Sequence, residues 1–218
     1  MSDFKFTFSD QAVPSASDLK AGFVIKANPS TDIWAKPPST HRFNSPILHK
    51  TVPLSSFQRA SVHISAKWST LYDQGGLILV LNRDDGTQKW VKTGIEFVDG
   101  KPHVSTVGKD NWADWSLLPM PPGNETGARI EMVREKGVTL WIYLIEGEER
   151  KRIRQVTWAF GDEESTECWV GVYAAKRRRK EGSLWLALRS WRLSFQRHER
   201  YLDFQFILMW VDELCSSG

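Results

Sequence analysis

The stretch Tyr72–Ser116, YDQGGLILVLNRDDGTQKWVKTGIEFVDGKPHVSTVGKDNWADWS, constrains the fold more than any other part of the chain. It reads as three β-strands joined by two tight turns. The middle strand, Gln88–Val98, carries Trp90, Lys92 and Glu96 at even positions and Val91, Thr93, Ile95 and Phe97 at odd ones. Successive side chains of a strand point to opposite faces of the sheet. One face of this strand is therefore apolar and suited to a core. The other is aromatic and charged, and suits a ligand. Arg83-Asp84-Asp85-Gly86 and Asp99-Gly100 supply the turns, because glycine accepts the positive φ that short hairpin loops demand.

The same reading extends along the chain. Phe4–Phe8 predicts a short first strand, and Gly22–Ala27 and Ser30–Ala35 two more around Asn28-Pro29. Lys36–Thr40 is a break, since its prolines cannot donate to a ladder. Phe57–Ser69 sets Ala60, Val62, Ile64 and Ala66 against Ser61, His63, Ser65 and Lys67, a half-buried antiparallel strand. Gly76–Leu81 is nearly all apolar and fits a central strand. Pro119–Gly127 is a loop. Further strands are predicted over Ala128–Arg134, Thr139–Glu146, Arg152–Phe160, Cys168–Ala175 and Ser183–Phe195. About a dozen strands with turns every 8–12 residues predict an all-β sandwich or barrel. Residues 1–195 form one such domain in this reading, and 196–218 are an atypical tail.

Composition narrows the function classes. The chain has 218 residues and a net charge of +3. Much of its basic excess sits in two clusters, Arg150–Arg154 and Lys176–Lys180, and a run such as the second reads as a solvated loop. No zinc-finger spacing or aromatic-rich RNA motif accompanies them, so a nucleic acid is not the expected partner. Eleven tryptophans stand against roughly three on ordinary usage; about two-thirds read as core, and the rest are candidates to line a sugar or hydrophobe site. Two cysteines, Cys168 and Cys215, cannot build a disulfide framework, which predicts a reducing, cytoplasmic setting. The N-terminus has no signal-peptide pattern, and the apolar runs Leu140–Ile145 and Phe206–Val211 are too short to span a bilayer. No HExxH, P-loop or GxSxG occurs, and the five histidines are scattered, so neither a metal nor a cofactor is expected. Asp110 and Asp114 make only part of a calcium loop. No feature sets the oligomeric state.

Several words of the sequence resemble the DUF1349 family, which includes fungal "regulation of enolase" proteins and bacterial homologues. They are DIW (Asp32–Trp34), LYDQGGL (Leu71–Leu77), KWVKTGIEFVDGKPHVSTV (Lys89–Val107), DWS (Asp114–Ser116), VTWAF (Val156–Phe160) and CWVGVYAAK (Cys168–Lys176). The resemblance covers about residues 4 to 195. It implies a concanavalin A-like jelly roll of two curved antiparallel sheets with a concave, lectin-like face. It implies no activity. In fungi it points to an intracellular role in carbon metabolism.

Candidate site residues follow from strand parity. Lys92 and Glu96 lie roughly 13 Å apart along one strand, so each needs a partner on a neighbouring strand, Arg154 being one for Glu96. Trp169 and Tyr173 share a face with Gly171 between them, which suits either a core or a platform for a flat ligand. Trp90, Lys92, Glu96, Ser105, Trp115, Arg154, Trp169 and Tyr173 are the predicted ligand-binding set, with no catalytic residue. Trp34 and Trp112 lie near loops, and Asp73 and Gln74 at a turn or a pocket rim. Glucanases of this fold place carboxylates about 5.5 Å apart on one strand; here that face offers Lys, Gly and Glu. The expected function is a module that binds a carbohydrate or other small molecule. The alternatives are an isomerase or cyclase of a hydrophobic metabolite, working by substrate positioning, and a protein-binding module using Lys176–Lys180.

Overall fold

Two antiparallel sheets stack face to face, because the period-two strands each carry an apolar face that must be removed from water. The structure, a computed structural model, describes residues 3–83, 85–161, 166–178 and 182–196. The tail separated at 196–218 lies outside them beyond Gln196, as do Arg179 and Lys180 of the basic cluster. The larger sheet has seven strands in the order β1 (Lys5–Thr7), β5 (Ile47–Pro53), β14 (Glu167–Lys176), β7 (Asp73–Asn82), β8 (Gln88–Val98), β9 (Lys101–Lys109) and β10 (Ala113–Pro119). The smaller has six, in the order β13 (Glu149–Val156), β12 (Thr139–Glu146), β11 (Gly127–Glu135), β6 (Phe57–Ser65), β15 (Leu184–Phe195) and β2 (Phe23–Ala27). A two-stranded hairpin, β3 (Ile33–Lys36) with β4 (Thr40–Phe43), stands apart from both.

The core between the sheets follows the predicted parity. Val91 and Ile95 of β8 join Leu77, Leu79 and Leu81 of β7 and Val170 and Val172 of β14. Ala60, Val62, Ile64, Ile130, Met132 and Ile142 meet them from the smaller sheet. Thr93 shares this face, and its hydroxyl donates to the Ser105 carbonyl at 3.0 Å, which removes the cost of burying it. Phe97, near the strand's end, is only half-buried.

A second apolar cluster lies on the opposite face of the larger sheet. It contains Ile78, Val80, Trp90, Val107, Tyr173 and Ala175, capped by Ile33 of β3 and by Ile47. Strand β7 is consequently buried from Asp73 to Leu81. That explains why its sequence lacks the polar alternation of β6, which has one face toward solvent.

Some elements depart from the sequence reading. The segment Tyr72–Ser116 holds four strands, since β10 follows a third turn. The strand expected over Arg152–Phe160 ends at Val156, and Thr157–Phe160 is a turn. Its apolar residues are there to seal the end of the core: Phe160 stacks on Phe57 at 5.9 Å and is covered by the Arg134 guanidinium at 4.5 Å. A short helix, α1 (Ala16–Ala21), begins with a capping box in which Ser15 and Asp18 satisfy each other's backbone N–H groups. Lys176 belongs to no solvated loop; it ends β14, is buried, and pairs with Asp73 at 3.0 Å.

Gly76 and Gly94 face each other across β7 and β8. A Cβ on Gly94 would lie 2.0 Å from the Gly75 carbonyl oxygen and 2.7 Å from the Gly76 Cα. The two strands can approach this closely only because neither position has a side chain. We predict that Gly94→Ala costs on the order of 1–3 kcal/mol in urea unfolding, as overpacking does. Gly108→Ala, whose Cβ would meet only Trp158 at 3.3 Å, should cost well under that.

Candidate functional site

The two facing glycines shape the floor of a cavity. Strand register lines up Ser105, Gly94, Gly76 and Tyr173 in one row across four strands. Lys92 sits in the next row opposite Ile78, while Gln74 lies four residues along β7. The Lys92 side chain therefore crosses the glycine row to reach Gln74, to whose Oε1 it donates. Side chains at 76 and 94 would obstruct that path.

The hairpin β3–β4 roofs this floor. Asn44 holds it: the Asp32 N–H donates to Asn44 Oδ1 at 2.9 Å, and the Asn44 N–H donates back to the Asp32 carbonyl at 3.2 Å. The space between is a cavity of about 450 Å³, within the range of small-molecule sites. Lys92, Glu96 and Gln74 form its floor, Trp115 and Tyr72 its sides, and Trp34 its roof. Trp34 and Trp115 meet edge to face at 5.9 Å, and Tyr72 is 6.4 Å from Trp115.

Two hydrogen-bonded chains run through the polar groups. Trp115 Nε1 donates to Ser105 Oγ at 3.0 Å, and Ser105 donates to Glu96 Oε2 at 2.9 Å. Lys92 donates to Gln74, whose amide donates to Asp32 Oδ1 at 3.4 Å. Asp32 also pairs with Arg42 at 3.3 Å and Arg177 at 3.7 Å. Among the described residues no ion pair within 4 Å joins Lys92 to a carboxylate.

Burial disfavours the charged form of both floor residues. Lys92 is 2% exposed and Glu96 6%. Desolvation holds the Lys92 ammonium below the usual lysine range, only partly opposed by the more distant Glu96 and Asp32 charges. Desolvation likewise pushes the Glu96 carboxyl up, against the attraction of Lys92 and the Ser105 hydrogen bond. The Tyr173 phenol is also pushed up, chiefly by burial.

The expected residues separate into three groups. Lys92, Glu96 and Trp115 line the cavity, with Ser105 immediately behind as the link between two of them. Trp90 and Tyr173 lie beneath, in the second apolar cluster, their rings 6.0 and 5.7 Å from Lys92 Nζ. Trp169 and Arg154 are elsewhere. Trp169 stacks on His49 at 4.3 Å, and a Cβ on Gly171 would lie 2.2 Å from the Leu48 carbonyl oxygen. The space foreseen for a flat ligand there is taken by the His49 side chain of β5. Arg154 does not reach Glu96; it donates to Asp114 and, at 3.0 Å, to Ser116 Oγ. It clasps β13 to β10, the edge strands at one side of the two sheets. Trp112, 37% exposed, lies outside the cavity against His41.

Asp32, Lys36, Arg42, Tyr72 and Arg177 also line the cavity and were not singled out. Asp32 and Trp34 stand together in the DIW word, a cluster that alternation alone does not explain. His49 was missed as well. It is buried, and its pKa is lowered to about 4 by desolvation first and then by Lys5.

Residues 12–194 match the family described as "protein of unknown function (DUF1349)". The chain belongs to the DUF1349 family. An uncharacterised protein of Emericella nidulans is 59% identical over 174 residues, 80% of this chain and 86% of that one. "Regulation of enolase protein 1" of Saccharomyces cerevisiae is 31% identical over 127 residues, 57% of this chain and 61% of that one. A solved structure of a functionally unknown Saccharomyces cerevisiae protein superposes with a TM-score of 0.71 at 23% identity, over 90% of this chain and 98% of that one. A pseudo β-1,3-glucanase of Mycobacterium tuberculosis gives 0.53 at 10% identity, over 89% and 91%. This chain thus has the two-sheet glucanase-type fold, the concanavalin A-like jelly roll expected from the sequence.

The opposed burial effects generate a pH prediction. A carboxyl whose folded pKa is raised above its ordinary 4.5 contributes stability that is complete below that value and lost as pH rises through the folded pKa. His49 works in the other sense: its contribution is present above 6.5 and is lost as pH falls toward about 4. Comparing wild type with Glu96→Gln in urea unfolding removes the His49 contribution from the difference. The variant should gain stability relative to wild type as pH rises above about 4.5. A pH-independent difference would contradict the burial of an ionisable Glu96.

Proposed function

We propose that this DUF1349 protein binds a sugar-sized small molecule in the cavity between hairpin β3–β4 and the face of the seven-stranded sheet turned away from the core. The observation that carries the reading is Lys92: a buried lysine side chain whose hydrogen-bond partner is a neutral amide, facing a cavity walled by aromatic rings. A buried cation without an adjacent anion is costly. Such a group is expected to be kept for a ligand, since packing alone would favour an apolar side chain. Trp34, Trp115 and Tyr72 supply ring surface for stacking, and Glu96, Gln74 and Asp32 supply acceptors for hydroxyl groups. The likeness to a yeast relative named for regulation of enolase supports a setting in carbon metabolism.

The opposed behaviour of the two floor residues favours a second reading, an isomerase or cyclase. A carboxyl pushed up and an ammonium pushed down by the same burial both move toward the range in which general acids and bases work. That reading requires turnover of the bound molecule.

The experiment is a thermal-shift screen against sugars and metabolites, followed by calorimetry on wild type, Lys92→Met and Trp115→Ala. Lys92→Met should match or exceed wild type in Tm, because it removes a buried ammonium at nearly constant volume. It should also weaken the screened ligand by about tenfold or more, and Trp115→Ala by a similar factor. A ligand that binds all three proteins equally would place its site elsewhere. A large loss of Tm in Lys92→Met would make Lys92 a structural residue.

A further inference from the structure

We infer that the ligand of this cavity is an anion: a sugar-sized ring carrying a phosphate or carboxylate group. The inference rests on the reading of the cavity as a ligand site and adds the chemical class.

Among the described residues four cationic side chains, Lys36, Arg42, Lys92 and Arg177, line the cavity against two carboxylates, Asp32 and Glu96. Asp32 is already shared between Arg42 and Arg177, so one negative charge answers two guanidinium groups. Among the described residues Lys36 has no ion pair. The remaining carboxylate, Glu96, is bonded to the neutral Ser105. If Lys92 and Glu96 both keep their charges, cations exceed carboxylates by two. If both are neutral, the excess is again two. No arrangement of that pair makes the described lining neutral.

The placement of these charges fits a ligand with distinct ends. Lys36 and Arg42 project from hairpin β3–β4 with exposed tips, and Arg177 leaves the end of β14 with its guanidinium 4.6 Å above the Tyr72 ring. Three long cationic side chains thus converge on one mouth from two separate parts of the chain. Guanidinium groups match phosphate and carboxylate oxygens in a fork geometry, and one nitrogen bonded to Asp32 leaves other N–H donors of Arg42 available. The wall formed by Trp34, Trp115 and Tyr72 presents ring surface to the neutral part. Deeper in, Lys92 commits one of three ammonium protons to Gln74. An anionic ligand therefore has the charged group at the mouth and the ring against the tryptophans. Its hydroxyl groups meet Lys92, Gln74 and Glu96.

Calorimetry with glucose, glucose 6-phosphate and glucuronate at low and tenfold higher salt tests this on wild type and Lys36→Gln. Lys36 has an exposed tip and no ion pair among the described residues, so the substitution leaves the fold intact. At least one charged sugar should bind tenfold or more tightly than glucose and weaken with salt. Lys36→Gln should weaken the charged sugar several-fold and leave glucose unchanged. Glucose binding as tightly as both charged sugars would overturn the inference while leaving a ligand site in place. Absence of binding by both charged sugars also overturns it. The ligand-site reading itself is tested separately, and falls if glucose and every compound of the wider screen fail as well.

Discussion

Lys92 projects from a sheet that is covered on both faces, so its ammonium loses bulk water in every direction except the cavity. The rest of the site follows from this placement. A lysine in a core normally ends beside a carboxylate, because desolvating an unpaired charge costs far more than a hydrogen bond returns. Lys176, two strands away, obeys that rule with Asp73. Lys92 instead donates to Gln74 and lies within 6.0 Å of two aromatic rings. The contrast between two buried lysines in one sheet separates an ion pair from an ammonium held by a neutral amide at a cavity floor.

The architecture that makes this possible is a sandwich with an added roof. Sheet-on-sheet packing buries one face of β7 and β8, as in any two-layer β-domain. The hairpin β3–β4 buries part of the other. Ile33 anchors the roof in the second apolar cluster, and Asn44 ties its base through the backbone of Asp32. Gly76 and Gly94 keep the floor low enough for a long side chain to lie across it. Charges that would be worth little on an open surface act here across a small, partly enclosed volume, where screening is weaker. The cations at the mouth belong to the hairpin and to the segment after β14, so the roof contributes charge as well as cover.

The sandwich was legible in the sequence because its signal is local. Strand β8 alternates over its whole length, and its predicted bounds, Gln88–Val98, are those observed. Strand β12 matches equally well over Thr139–Glu146. Strand β5 escaped notice because His49 and Lys50 interrupt its apolar residues, although His49 is buried against Trp169. The site was legible only in part. Parity placed Lys92 and Glu96 on one face, and the structure joins them to Trp115 and Ser105. It could not show that Asp32, Arg42 and Arg177 share their cavity, because strands β3 and β8 are brought together by tertiary packing and not by a turn. Arg154 illustrates the same gap: its charge was evident, but the edge it clasps depends on which strands end each sheet.

The most direct measurement is a crystal structure of the full chain with a compound that passes the thermal-shift and calorimetric tests. The account predicts its density between Trp34 and Trp115, with a polar atom within hydrogen-bonding distance of Lys92 Nζ. Density on the outer face of the six-stranded sheet, or a cavity that stays filled only by water at saturating compound, would contradict it.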